Sequence, residues 1–155
     1  MEKNFKRSTH TIITLFYIVY SKFQLMNVKT DTKEKFNVIT PVDEQIPANM
    51  TEDLKEMLLS YLHKGIPHIV LKMDEVKVLS AEAAETIALV QQKFYETDRS
   101  FVICGFSPEI ESQLEEQELL EMMNVTPTES EAWDIVQMEE IERELLGDFD
   151  EEEQS

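Results

Sequence analysis

The run His68-Ile69-Val70-Leu71-Lys72-Met73, followed after Asp74-Glu75 by Val76-Lys77-Val78-Leu79-Ser80-Ala81-Glu82-Ala83-Ala84, decides the fold. Ile69 to Met73 is a short apolar run bounded by Pro67 and the acidic pair, the pattern of a central strand covered on both faces. Val76 to Leu79 then leads into Ser80, whose hydroxyl can accept a free amide of the first turn of a helix. That helix is predicted to hold Ala83, Ala84, Ile87, Ala88, Val90, Gln91 and Phe94. Glu82 and Glu85 fall near the positive end of its dipole, and the small residues at its start allow close approach of a neighbour.

Toward the N-terminus, Phe36, Val38, Thr40 and Val42 alternate, with Ile39 on the opposite side, which is the period of a half-buried strand. Ile46 adds a brief strand before Pro47. Asn49 with Glu52 three residues later reads as a capping box, opening a helix that shares Leu54, Met57, Leu58, Tyr61 and Leu62 on one face and stops at Gly65. Toward the C-terminus, Ser100 to Cys104 reads as a buried strand ending at Gly105, and Ser107-Pro108 starts a helix with Pro at its first position and Ile110 and Leu114 inside. A short edge segment is predicted at Val125. Thr128 with Glu131 then opens a last helix that holds Ala132, Trp133, Ile135, Val136, Met138, Ile141 and Leu145 and is predicted to end at Gly147. Trp133 is expected to anchor the core, and Met122, Met123 and Met138 to serve packing before binding.

Strands alternating with helices at this spacing imply one α/β domain: a mixed sheet of four to five strands packed against about four helices. The expected organisation is an N-terminal extension over 1–35, the domain over 36–146 and an acidic disordered tail over 147–155. In the extension, Lys3, Lys6 and Arg7 precede the apolar stretch Ile12 to Tyr20, which is too short to span a bilayer and lacks a small-residue cleavage site. The preferred reading is that translation begins at Met26, with an uncleaved membrane anchor as the alternative.

Composition limits the partners. With 14 Lys and Arg against 32 Asp and Glu the net charge is −18, which disfavours nucleic acid and anionic lipid as ligands of the domain. Residues 109 to 155 hold a single base, Arg143, among many carboxylates, the mark of a solvated acidic face. The lone Cys104 cannot form an internal disulfide, which fits a reducing, cytoplasmic setting, and its apolar neighbours make it a structural thiol.

No catalytic or metal-ligating constellation converges in the sequence. Three glycines, Gly65, Gly105 and Gly147, cannot build a phosphate loop. His10, His63 and His68 have no metal-ligand spacing, so no metal or cofactor is expected. No Gly-x-Ser-x-Gly turn is present, and the carboxylates read as solvated helix faces; the chain is therefore expected not to be an enzyme.

The order strand, helix, strand, short loop, helix, strand, helix resembles the STAS domain, the fold of bacterial anti-sigma-factor antagonists. The resemblance is carried by His68 to Met73, Val76 to Ala84, Phe101-Val102-Ile103-Cys104-Gly105-Phe106-Ser107-Pro108-Glu109, Met123-Asn124-Val125 and Glu129-Ser130-Glu131-Ala132, within residues 36 to 140. It implies a regulatory protein-binding domain whose partner is an anti-sigma factor or switch kinase. The alternative it implies is a cytosolic STAS subunit of a membrane lipid or anion transport assembly. The family's hallmark is an Asp-Ser-Ser/Thr-Gly-like loop whose first hydroxyl receives phosphate. Here Ser80 falls where the aspartate lies and Ala81 where the hydroxyl lies, so the usual switch is expected to be absent; a one-residue shift would make Ser80 the candidate phosphoacceptor. The family's glycine near the second strand is Glu44 here. The partner-binding surface is accordingly expected on Ser80, Ala81, Glu82, Ala83, Ala84 and Glu85, where a permanent carboxylate at Glu82 can meet a basic partner.

Overall fold

The computed structural model describes residues 9–15 and 26–154. Residues 9–15 form a short helix, α1. From residue 26 the order is β1 (Val28–Thr32), β2 (Phe36–Pro41), β3 (Gln45–Ile46), α2 (Thr51–Ser60), β4 (His68–Lys72), β5 (Val78–Leu79), α3 (Ala81–Glu96), β6 (Phe101–Cys104), α4 (Pro108–Glu116), β7 (Val125–Thr126) and α5 (Glu129–Gln154). The main sheet runs β1-β2-β4-β6-β7, and β3 and β5 form a separate two-stranded parallel pair. The sheet is mixed: β1 lies antiparallel to β2, and the remaining neighbours are parallel. This is the α/β architecture expected from the alternation of strands and helices.

Register explains why the apolar runs are continuous. Val38, Val70 and Val102 are partners across β2, β4 and β6, as are Ile39, Leu71 and Ile103. Alternation sends the two rows to opposite faces, and both faces are covered. On one face Ile39, Ile69, Leu71, Phe101 and Ile103 meet Leu54 and Leu58 of α2, Ile87 and Phe94 of α3, and Ile110 and Leu114 of α4. On the other, Phe36, Val38, Val70, Val102 and Cys104 meet Ala132 and Val136 of α5. Each fully buried side chain of the size of Ile87 contributes about 1.5–3 kcal/mol by leaving water. Gln91, inside α3, is buried but satisfied: its amide donates to the carbonyls of Phe101 (2.7 Å) and Asn124 (3.1 Å) and its oxygen accepts from the Asn124 amide.

Five local expectations change. Val28–Thr32, placed in the extension by its polar sequence, is the edge strand β1; four of its five residues are exposed, so no apolar alternation marks it. Asn49 does not cap α2: it lies in a 3-10 turn, Ala48–Met50, that runs directly into the helix, whose boundary residue Met50 makes no side-chain cap. The same helix ends at Ser60 and continues as a 3-10 turn to His63, before Gly65. Gly147 does not end α5, which continues to Gln154, because a solvent-facing glycine costs a helix only about 1 kcal/mol. Trp133 is 50% exposed and touches only the rim of the core, its ring 6.0 Å from that of Phe36, while Met122 and Met138 are exposed and only Met123 packs inside. Of the apolar stretch Ile12 to Tyr20, residues 16–20 lie outside the described residues. Among the described residues no helix is long and apolar enough to cross a membrane.

Candidate functional site

The turn from β5 into α3 is built by local rules. Ser80 has extended backbone (φ −66°, ψ 151°), and its Oγ accepts the Ala83 amide at 3.1 Å, so it caps α3 as its sequence position predicts. Two glutamines hold the turn from outside: Gln113 of α4 donates to the carbonyl of Leu79 at 2.9 Å, and Gln117, which caps the end of α4, to that of Ala81 at 3.2 Å. The backbone of the turn is therefore fixed by side chains from another helix, a support that no local pattern around Ser80 signals.

The six residues expected at the partner surface divide. Ser80 is half-buried, and Ala81, Glu82 and Glu85 are exposed. Ala83 and Ala84 are wholly buried in the core between α3 and the sheet and have no surface to offer; this corrects their placement in the contact patch. At 100° per residue they lie on the inward side with Ile87, while Glu82, Glu85 and Leu89 fall on the opposite side.

That outer side continues into a groove between α2 and α3. The groove has a volume of about 330 Å³ and is lined by Glu52, Lys55, Leu59, Thr86, Leu89, Val90 and Lys93. Leu89 is 66% exposed, an apolar side chain turned to water beside two lysines. The surface thus runs from two carboxylates at the start of α3, through Leu89, to Lys55 and Lys93. An apolar centre with charged flanks of both signs suits a protein surface, not an anionic polymer. Leu89 has a sequence signal, being the one large apolar residue of α3 out of phase with Ile87, Val90 and Phe94; Lys55 and Lys93 have none.

A second polar constellation lies at the other end of α3, about 24 Å along a 16-residue helix. The Ser100 hydroxyl donates to Glu139 Oε2 at 2.5 Å and accepts from Arg143 at 3.0 Å. Tyr95 donates to Glu139 Oε1 at 2.8 Å, and the Asn124 amide reaches both. His68 accepts the backbone amide of Ser100 through Nδ1 at 2.9 Å. Burial pushes the Tyr95 phenol well above its ordinary value, and burial together with Arg143 holds the His68 imidazole below its own. The imidazole faces the Ser100 amide and not its hydroxyl, and Ser100 is fully buried, so this serine has neither a histidine base nor access to a substrate. The cluster instead ties α5, α3 and the entrance of β6 together. Cys104 is buried, and burial first and the nearby Asp74 and Glu129 carboxylates next push its thiol up to about 12, the environment of an inert thiol. Among the described residues no three His, Cys, Asp or Glu side chains are grouped to hold a metal ion.

A family model described as the STAS domain matches residues 27–132. Among solved structures the chain is similar to a Thermotoga maritima protein described as a candidate anti-sigma factor antagonist, at 17% identity and a TM-score of 0.63, covering 71% of this chain and 94% of that one. It is similar to an anti-sigma factor antagonist from Mycobacterium paratuberculosis at 15% identity and a TM-score of 0.61, covering 72% and 94%. A murine anion transporter of solute carrier family 26 also matches, at 11% identity and a TM-score of 0.59, covering 79% of this chain and 24% of that one. At these identities the likeness is one of fold. Among curated proteins no sequence matches significantly.

Proposed function

The chain belongs to the STAS domain family, and on that premise we propose that it is a non-enzymatic regulatory protein-binding domain resembling the anti-sigma-factor antagonists, not switched by phosphate at the usual loop position. The observation that carries this reading is the surface of Ala81, Glu82, Glu85 and Leu89 at the start of α3, with Ser80 engaged as a helix cap beside it. A hydroxyl switch adds nearly two negative charges at a helix start and so repels or reshapes a docked partner. Ala81 has no hydroxyl to modify, and the exposed Glu82 supplies a permanent charge in the same turn, which fits a binding module that is constitutively competent. An anti-sigma factor antagonist and a protein described as a candidate one, from two bacteria, share the fold over nearly their whole length, which favours an anti-sigma or switch-kinase-like partner met in the cytoplasm.

The second reading, a STAS component of a lipid or anion transport assembly, is favoured by the fold likeness to one part of the murine transporter. Affinity capture of the tagged full chain from its native host, with Glu85→Arg and Leu89→Asp variants as controls, tests both. Recovery of an anti-sigma or kinase-like protein that either variant abolishes supports the first reading, and transporter subunits lost in the same way support the second. A specific partner that both variants retain places the contact surface elsewhere on the domain.

A further inference from the structure

The helix α5 has two apolar faces, and the sheet uses only one of them. Ala132 and Val136 are buried against the sheet, and Glu139 and Arg143 reach the Ser100 cluster from the same side. At 100° per residue, Met138, Ile141, Leu145 and Phe149 form a stripe on the opposite side, spaced by three, four and four residues. These four side chains are 60%, 55%, 54% and 65% exposed, and an apolar stripe of this length on an exposed helix marks an interaction surface. From Glu144 to Phe149 every residue is exposed, so the helix runs on past the sheet without a buried face. A short helical stretch of that kind is marginal in water by itself and is weakened further by Gly147, so it gains from whatever covers its apolar side. The stripe lies across the sheet from α3, so it is separate from the surface of the proposed function and both can be occupied together.

Charge selects the occupant. The carboxylates of α5 that face the domain are matched: Glu129 by Lys72, Glu139 by Arg143 and Glu140 by Lys35. Those that border the stripe are not. Glu142 lies along one side of it, Glu144 and Asp148 along the other and Asp134 at its N-terminal end; all four are exposed, and among the described residues none of them is in an ion pair. Two copies of α5 set face to face would bring these carboxylates together and repel, and an anionic membrane is repelled in the same way. The same carboxylates attract Lys and Arg, whose stems can lie along the apolar stripe while their heads reach the acids. The stripe spans about 17 Å from Met138 to Phe149, roughly three turns, and its helical spacing fits the ridges of a second helix. An amphipathic helix with basic margins has all of these properties.

We propose that the outer stripe of α5 is a docking site for a basic amphipathic helix of a partner protein, with apolar side chains against Met138, Ile141, Leu145 and Phe149 and Lys or Arg against the four carboxylates. The test uses the full chain and a fluorescein-labelled peptide of leucine and lysine, about 18 residues long so that it can form a helix over the stripe, with leucine on one face and lysine on the other. A peptide of the same composition in scrambled order, with no apolar face, is the control. Fluorescence anisotropy is expected to show saturable binding of the amphipathic peptide and about tenfold weaker binding of the scrambled one. Ile141→Ser/Leu145→Ser is expected to weaken binding about tenfold, and Glu142→Gln/Glu144→Gln/Asp148→Asn to weaken it severalfold and flatten its dependence on salt. Leu89→Asp, across the sheet, is expected to bind as the parent does. Circular dichroism reports whether the variants keep α5, and hydrogen exchange is expected to place the protection by the peptide on residues 138–149 and not on α3. An amphipathic peptide that does not bind, binding that the α5 variants leave unchanged, or protection elsewhere overturns the proposal. So does a parent dimer in light scattering that Ile141→Ser/Leu145→Ser returns to monomer, because the occupant is then a second copy. Phosphatidylcholine vesicles that capture the parent and not this variant overturn it as well, because the occupant is then a membrane.

Discussion

The Ser80 hydroxyl oxygen accepts the Ala83 amide at 3.1 Å, so the residue just before Ala81, the expected switch position, is the cap of the helix that bears the candidate surface. Removing that acceptor leaves an amide of the first turn unpaired. Ser80→Ala is expected to lower stability by about 1 kcal/mol in urea denaturation, and Ser80→Asp, which still caps, to restore most of it. Partner capture by Ser80→Asp is expected to match that of the unmodified chain, since Glu82 already places a carboxylate in this turn.

Ala84 is fully buried between α3 and the sheet, whereas Glu85, its neighbour in sequence, is exposed. Ala84→Arg forces a long charged chain into a filled core and is expected to destabilise by about 3 kcal/mol or more. Glu85→Arg is expected to stay within about 0.5 kcal/mol of the parent. Thermal unfolding of the two variants side by side checks the difference and shows which one is a fair probe of binding.

Gly105 has φ +78°, and a Cβ built there would run into the Asp74 carboxyl group. The loops after β4 and β6 can approach each other only while this position has no side chain. Gly105→Ala is expected to cost about 1–2 kcal/mol, and Gly105→Ala with Asp74→Ala to recover part of it, leaving the left-handed backbone as the residual. A double-mutant cycle in urea separates the two contributions.

His68 links folding to pH. Burial first and Arg143 second hold its imidazole below the ordinary 6.5 in the folded protein, so the unfolded chain takes up this proton at higher pH. The contribution is therefore fully present above about pH 6.5 and is lost as pH falls through the lowered folded value. Melting temperature is expected to decline across that window in the parent, and the part due to His68 to vanish in His68→Gln.

Cys104 is expected to resist a thiol reagent in the native state at pH 8 and to react fully in denaturant, because burial keeps the thiol protonated up to about 12. Mass spectrometry after brief labelling reads both states. Rapid native labelling would mean that β6 opens readily.

The sequence alone determined the central strands, the caps of α3 and α4 and the fold class. Ile69 to Leu71 and Phe101 to Cys104 are apolar without interruption because both faces of their sheet are covered, and a strand in that position has no other composition open to it. Ser80 and Ser107 were legible as caps for the same local reason: each accepts the amide three residues on, at 3.1 and 3.2 Å. Only the tertiary structure decided what depends on distant partners. β1 has four exposed residues of five and exists because β2 offers it an edge to pair with, and Gly147 is carried through by the helix around it. The two glutamines that brace the Ser80 turn come from α4 and its C-terminal end, thirty-four and thirty-six residues from the Leu79 and Ala81 carbonyls they bind. The site divided on the same principle. Spacing placed Ser80 to Glu85 together at a helix start, but which of those side chains faces water depends on where the sheet lies, and the sheet takes Ala83 and Ala84 for the core.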